Sequence, residues 1–136
     1  MMKTLANIPG YSLRRAANAM TAELAQRLAK HDMRMVDATV LLLIGDHPGA
    51  TSSWIGRTLD IQRANMAPLL KRLEDAGLLD RAPIDGKSQG LTLTEAGRKR
   101  LAAVRATLLA FEDDLLARIP KEHREHLLPA LDALWR

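Results

Sequence analysis

Chemistry is densest around Gln62, Arg63, Ala64 and Asn65, followed two residues later by Ala67. An arginine can grip O6 and N7 of a guanine, and an asparagine or glutamine N6 and N7 of an adenine, each through two hydrogen bonds. The small Ala64 and Ala67 leave room for a backbone to approach a base pair and can touch a thymine methyl. Side chains of the kind that hold phosphates lie on both sides: Thr51, Ser52, Ser53 and Arg57 upstream, then Lys71, Arg72, Arg81, Lys87 and Ser88 downstream. A solvated polar helix start would use the same residue types, so the pattern needs a scaffold before it means readout.

Other chemistry finds less support. Ser52 and Ser53 lack the G-x-S-x-G elbow of a hydrolase, and no glycine-rich phosphate loop follows a strand. No catalytic residue and no cofactor is therefore expected. His123 and His126 stand three apart beside Glu122 and Glu125, but no third cluster completes a ligand set, and an exposed helix face accounts for them without a metal. With no cysteine, disulfides, thiolate metal sites and thiol redox sensing are excluded.

The elements that must position Gln62 to Asn65 can be read from periodicity. Apolar residues make up 47% of the 136 residues while aromatics are only 3%, and the abundance of Leu and Ala favours packed helices in a single domain. Leu13, Ala17, Met20, Leu24 and Leu28 recur at helical spacing over about 10–31. A break at His31-Asp32 precedes a helix from about Val36 to Asp46, apolar nearly all round and so central. Thr51 caps a short helix to Leu59, and Asp60-Ile61 turn into a helix from about Gln62 to Ala76 that closes on Gly77. Leu78 to Pro83 and Gln89 to Leu93 read as a hairpin, with Asp85-Gly86 supplying positive φ at its turn. Thr94 caps the longest helix, in which Leu101, Val104, Leu108, Phe111 and Leu115 follow a heptad seam, and Pro120 separates it from a last amphipathic helix. The expected fold is mainly α, a winged helix-turn-helix over about 36–100 with N- and C-terminal dimerisation helices over about 10–31 and 101–136.

Charge follows that layout. The net +4 is concentrated in residues 51–100, where nine Lys/Arg face six Asp/Glu. The start of the chain is too short and polar for a signal peptide and no apolar run reaches membrane-spanning length, so no membrane role and a cytoplasmic location are expected.

Four pieces in order carry a resemblance to a known family: GYSLRRAANAM in the first helix, TSSWIGRTLDIQ, RANMAPLLKRLEDAGLL, and LTLTEAGRKRL after the hairpin. From Gly10 to Trp135 the chain resembles the MarR regulators, named for multiple antibiotic resistance. The resemblance implies a homodimeric regulator of transcription, acting as a repressor, whose two recognition helices read a pseudo-palindromic double-stranded DNA operator. Two departures stand out. Pro68 lies inside the recognition helix and predicts a local bend there, with bases read upstream of it. The wing tip carries Lys87 where such proteins place an arginine, and an ammonium is the more strongly hydrated minor-groove probe.

The resemblance also implies a small aromatic or phenolic acid as effector, held between the dimerisation helices and the winged lobe. Ser12, Arg15, His31, Arg34 and Met35 are the candidates near the junction of the first two helices, with Trp54 as an apolar wall. An arginine facing an apolar cleft suits a carboxylate and a histidine can bond a phenol. Equally, Arg15 and Arg34 can pair with Glu23, Asp32 or Asp37. Dimer contacts are expected from Leu5, Leu13, Leu108, Phe111, Leu115, Leu127 and Leu131, because so small a lobe has no room to bury the heptad seam. Arg72 is expected either on a phosphate or bracing the wing through Glu74, Asp75 or Asp85. A winged-helix module without an effector, holding DNA or protein, remains open at this point.

Overall fold

The computed structural model describes residues 2–136, and side chains from Thr4 onward. A short helix α1 (Met2–Ala6), not foreseen from the sequence, leads into α2 (Pro9–Ala29). Pro9 sits in the first turn of α2, where its missing amide leaves no helical bond unmade. Asp32, at φ 54°, turns the chain into α3 (Met35–Asp46). Then come α4 (Ser52–Leu59), α5 (Arg63–Asp75), the strands β1 (Leu79–Pro83) and β2 (Gln89–Leu93), α6 (Glu95–Arg118), a 3-10 turn (Lys121–His123) and α7 (Arg124–Asp132).

Helix α3 is the centre of the lobe. Val40, Leu41 and Ile44 are fully buried and meet Ile55 of α4, Leu70 of α5, Leu91 of β2 and Val104 of α6. An element apolar on every face can sit only where neighbours cover it all round. The strands pair antiparallel from Leu79 opposite Leu93 to Pro83 opposite Gln89. The strap before α4 is bound to this sheet: the Gly49 amide donates to the Leu91 carbonyl and the Leu91 amide to the Ala50 carbonyl, both at 2.8 Å.

Caps fall where the sequence places them. The Thr51 hydroxyl accepts the Trp54 amide at 3.1 Å, and the Thr94 hydroxyl accepts the Gly97 amide at 2.9 Å. Gly77 takes φ 77° after α5. The Thr94 hydroxyl also donates to the Gly77 carbonyl at 2.6 Å, tying the two ends of the hairpin together.

Two expectations are corrected here. Gly86 does not take positive φ, and the hairpin turn is built by the Asp85 carboxylate, which accepts the amides of Lys87 and Ser88, both at 2.8 Å. Aspartate closes such loops with its side chain, so the following residue has no need of a left-handed backbone. The heptad seam is also used inside the chain. Leu101, Val104 and Phe111 are buried within the single chain, and Leu108 is half-buried against the core. Phe111 lies under the Arg27 guanidinium of α2, 5.4 Å from its centre. The first half of α2, the end of α6 and α7 instead leave apolar side chains in the open, among them Leu13, Leu109, Leu128, Leu131, Leu134 and Trp135.

Candidate DNA interface

Helices α4 and α5 meet through a close backbone approach. A Cβ on Gly56 would lie 3.1 Å from the Ile61 carbonyl oxygen and 3.3 Å from Met66 Cγ, so any larger residue would push the crossing apart by a few tenths of an ångström. The turn is closed by Asp60 at φ 56° and by the Ile61 amide donating to the Gly56 carbonyl at 2.8 Å. Met66, Leu69, Leu70 and Leu73 are buried and anchor α5 in the core. That anchoring leaves Gln62, Arg63, Ala64, Asn65 and Ala67 exposed on the outer face. A shallow groove of about 470 Å³ opens there, lined by Ser52, Ser53, Arg57, Gln62 and Arg63 over Met66. The first turn of α5 carries no acidic residue, so its free amides add to the positive face of Arg57 and Arg63.

The carboxylate of Asp60 also lines this groove, which sequence reasoning did not single out. A signal was available: a non-glycine residue in a tight helix-helix turn is there for its side chain or its tolerance of left-handed backbone, and aspartate offers both. Helix α5 runs through Pro68 without interruption, so the expected bend does not end the helix. Pro68 still removes the amide that would have bonded the Ala64 carbonyl.

The remaining candidates divide. Lys71 is exposed, 3.3 Å from Asp75, and Lys87 is exposed at the wing tip. Ser88 is half-buried, its amide held by Asp85 and its carbonyl accepting the Ile84 amide at 3.0 Å. Arg72, still exposed at the end of α5, donates to Asp37 at 2.8 Å, a partner outside the three expected. Asp37 is buried in the core and also accepts the Arg34 amide at 3.3 Å. The bracing of the wing falls to Arg81 of β1, which donates to Glu74 of α5 at 2.6 Å. The backbone amides of Lys87 and Ser88 hold the Asp85 carboxyl below its ordinary value, so the turn keeps its charge and its shape together.

The expected effector cluster does not assemble within one chain. Ser12 and Arg15 are exposed near the start of α2, whereas His31, Arg34 and Met35 follow its far end. At 1.5 Å per residue, Ser12 is about 25 Å from the end of that helix. His31 is engaged with Thr107 of α6 at 3.0 Å, while Arg100 donates to the His31 carbonyl at 2.8 Å. Trp54 packs edge-on to His47, 4.9 Å between rings, at the other end of α3 from Arg34 and Met35.

Comparison with known proteins settles the family. The sequence profile of the MarR family matches residues 31–88. The solved transcriptional repressor CouR bound to a 23-mer DNA duplex is 32% identical, with a TM-score of 0.88 over 100% of this chain and 98% of that one. The chain belongs to the MarR family. CouR bound to p-coumaroyl-CoA aligns with a TM-score of 0.83 at 30% identity, covering 100% of this chain and 97% of that one. The HTH-type transcriptional repressor Rv2887 of Mycobacterium tuberculosis is 26% identical over 92% of this chain and 91% of its own. A regulator assigned to the hcr operon of Thauera aromatica is 27% identical over 71% of this chain, which spans 60% of that protein's length. The winged helix-turn-helix expected from the sequence is thus the MarR fold, with α5 as the recognition helix and the β1–β2 hairpin as the wing.

Proposed function

We propose that this protein is a homodimeric repressor that binds a pseudo-palindromic DNA operator and responds to a small aromatic acid. The observation that carries it is the exposed, unacidic start of α5 with Arg63 and Asn65 above a basic groove, on a lobe whose buried face fixes that helix. Similarity to CouR on its DNA duplex supports the DNA reading, and similarity to CouR with p-coumaroyl-CoA and to Rv2887 with salicylic acid supports the response. Dimerisation is supported by the exposed leucines of α2, α6 and α7, which a second copy would cover. The lobe of about residues 36–100 reads DNA in this scheme, and the flanking helices set the spacing of the two lobes. No step in the scheme is catalytic. Among the described residues no helix is long and apolar enough to cross a membrane.

The test is a salt series of binding to DNA flanking the protein's own gene, with Arg63→Ala, Asn65→Ala and Lys87→Ala. Arg63→Ala and Asn65→Ala each cost about 1–3 kcal/mol and relax base preference at one position of each half-site. Lys87→Ala weakens all sequences alike and flattens the salt slope. A wild type with no salt-sensitive preference for any such DNA over bulk duplex would refute the reading.

A further inference from the structure

The face that Arg57, Gln62 and Arg63 present to DNA carries a group of the wrong sign. Asp60 is exposed and lines the same groove, three positions after Arg57 and three before Arg63. Elsewhere in the lobe negative charge is engaged. Asp37, Asp46, Glu74, Asp75 and Glu95 each face an arginine or lysine, and the Asp85 carboxylate holds its own turn. Asp80 lies on the wing strand β1, so the carboxylate of the groove is that of Asp60. It pairs with no cation among the described residues.

Neither the backbone nor overall affinity accounts for that charge. The left-handed conformation, at φ 56° and ψ 45°, suits glycine best and asparagine next, and both are uncharged. Phosphates repel a carboxylate, so Asp60 lowers the attraction to every duplex alike. Its place is nonetheless fixed on both sides. The Asp60 amide donates to the Arg57 carbonyl at 3.4 Å, and the Ile61 amide to the Gly56 carbonyl at 2.8 Å. A negative charge held rigidly beside Gln62 and Arg63 is favourable only against a hydrogen-bond donor on a base edge.

An ionised carboxylate only accepts hydrogen bonds. In the major groove two base edges offer it donors, N4 of cytosine and N6 of adenine. Adenine N6 stands beside the N7 lone pair, which repels a carboxylate, whereas cytosine N4 has C5–H at its side. We infer that Asp60 is a specificity-determining residue that accepts from the N4 amine of a cytosine at one position of each operator half-site. The inference rests on the DNA-binding reading above. It adds a base that Arg63 and Asn65, whose groups suit guanine and adenine, do not select. It also gives the groove a means of rejection. Thymine presents O4 at that position, and guanine O6 and N7, all acceptors that oppose the carboxylate.

The experiment selects half-sites from a randomised duplex pool with the full-length wild type, Asp60→Gly and Asp60→Asn, and then titrates the selected duplexes. Glycine and asparagine take left-handed backbone most readily, so both variants keep the turn, and thermal melting checks this. The wild type should prefer cytosine over thymine about tenfold at one position of each half-site. In Asp60→Gly that preference should vanish, while duplex of random sequence is bound more tightly. Asp60→Asn should move the preference to adenine, whose N6 and N7 an amide grips together, which a merely structural turn residue would not do. Cytosine preference retained in both variants, or tighter binding with every base preference intact, overturns the assignment. A wild type that selects bases at other positions, but none that depends on residue 60, removes only this inference. One that selects no base at all removes the DNA-binding reading with it.

Discussion

The winged lobe and the helical extension solve the same problem differently. In the lobe, α3 is enclosed by α4, α5, β2 and α6, and its Val40, Leu41 and Ile44 are completely removed from water by the chain's own residues. In the extension, where α2 meets the second half of α6, buried Phe111 is flanked by a network of charge. Arg27 donates to Asp114 at 2.7 Å and to Glu23 at 3.3 Å, and Arg118 donates to Glu23 at 2.7 Å. Beyond that network the apolar side chains face outward, with Leu128 66% and Trp135 71% exposed. The lobe is a finished core, while the extension leaves large apolar side chains uncovered within the chain. Hydrophobic burial stabilises the first in isolation, and the second gains comparable stability only when another apolar surface covers it.

The contrast is broken most severely in the lobe. Leu41→Ala should cost about 2–5 kcal/mol in denaturant unfolding, because the cavity it leaves is closed on all sides. Leu128→Asp should leave the unfolding of the isolated chain nearly unchanged and instead turn a dimer into a monomer in sedimentation. A Leu128→Asp protein that remains a dimer would show that α7 is not part of the shared surface.

A smaller effect tests how the recognition helix is held to the lobe. Asp37→Asn keeps the size of the side chain but removes the charge opposite Arg72, at a cost of about 1–3 kcal/mol. Adding Arg72→Ala to it should cost little more, since the two share one interaction, and a double-mutant cycle measures that. Additive losses would mean that Arg72 acts elsewhere, on a phosphate for instance.

The gentlest test concerns the charged seam of the extension. The hydrogen bond from Arg118, helped by Arg27 and opposed by partial burial, holds the Glu23 carboxyl below its ordinary value of 4.5. A carboxyl with a depressed folded value stabilises fully above the unfolded value, and its contribution is lost as pH falls through the folded one. Melting temperature should therefore drop more steeply below about pH 4.5 in the wild type than in Glu23→Gln. The difference should shrink at high salt, because these groups are open to solvent. Identical pH profiles would remove Glu23 from the account.

Local chemistry was the most legible part of the sequence. Thr51, Thr94 and Gly77 act where their types imply, since a cap or a left-handed residue depends on neighbours only a few positions away. The exposed start of α5 was legible too, because buried Met66, Leu69 and Leu70 fix its phase. What periodicity could not supply was the identity of the covering surface. The stripe through Leu101, Val104 and Phe111 is apolar whether its own chain or a second one covers it, and here its own chain does so at those three positions. The Ser12 to Met35 grouping does not meet within one chain, because α2 sets Ser12 and Arg15 almost a helix length from His31, Arg34 and Met35. Asp37 was recognised only as a possible counter-ion to Arg15 or Arg34, and its bond to Arg72 spans 35 positions that no local pattern connects.

The wing tip has a consequence for engineering. Because the Asp85 carboxylate shapes the loop, Gly86 is released from the backbone duty that glycine usually performs in a hairpin, and nothing lies within 4 Å of where its side chain would begin. That position and Lys87 form a small cassette whose contents can be exchanged while its frame persists. In the DNA-binding scheme proposed above, an arginine introduced at residue 86 would add a base-reading group without reshaping the loop, so the wing could gain an operator preference separate from that of α5. Removing the Asp85 side chain would forfeit that freedom and make the glycine necessary after all.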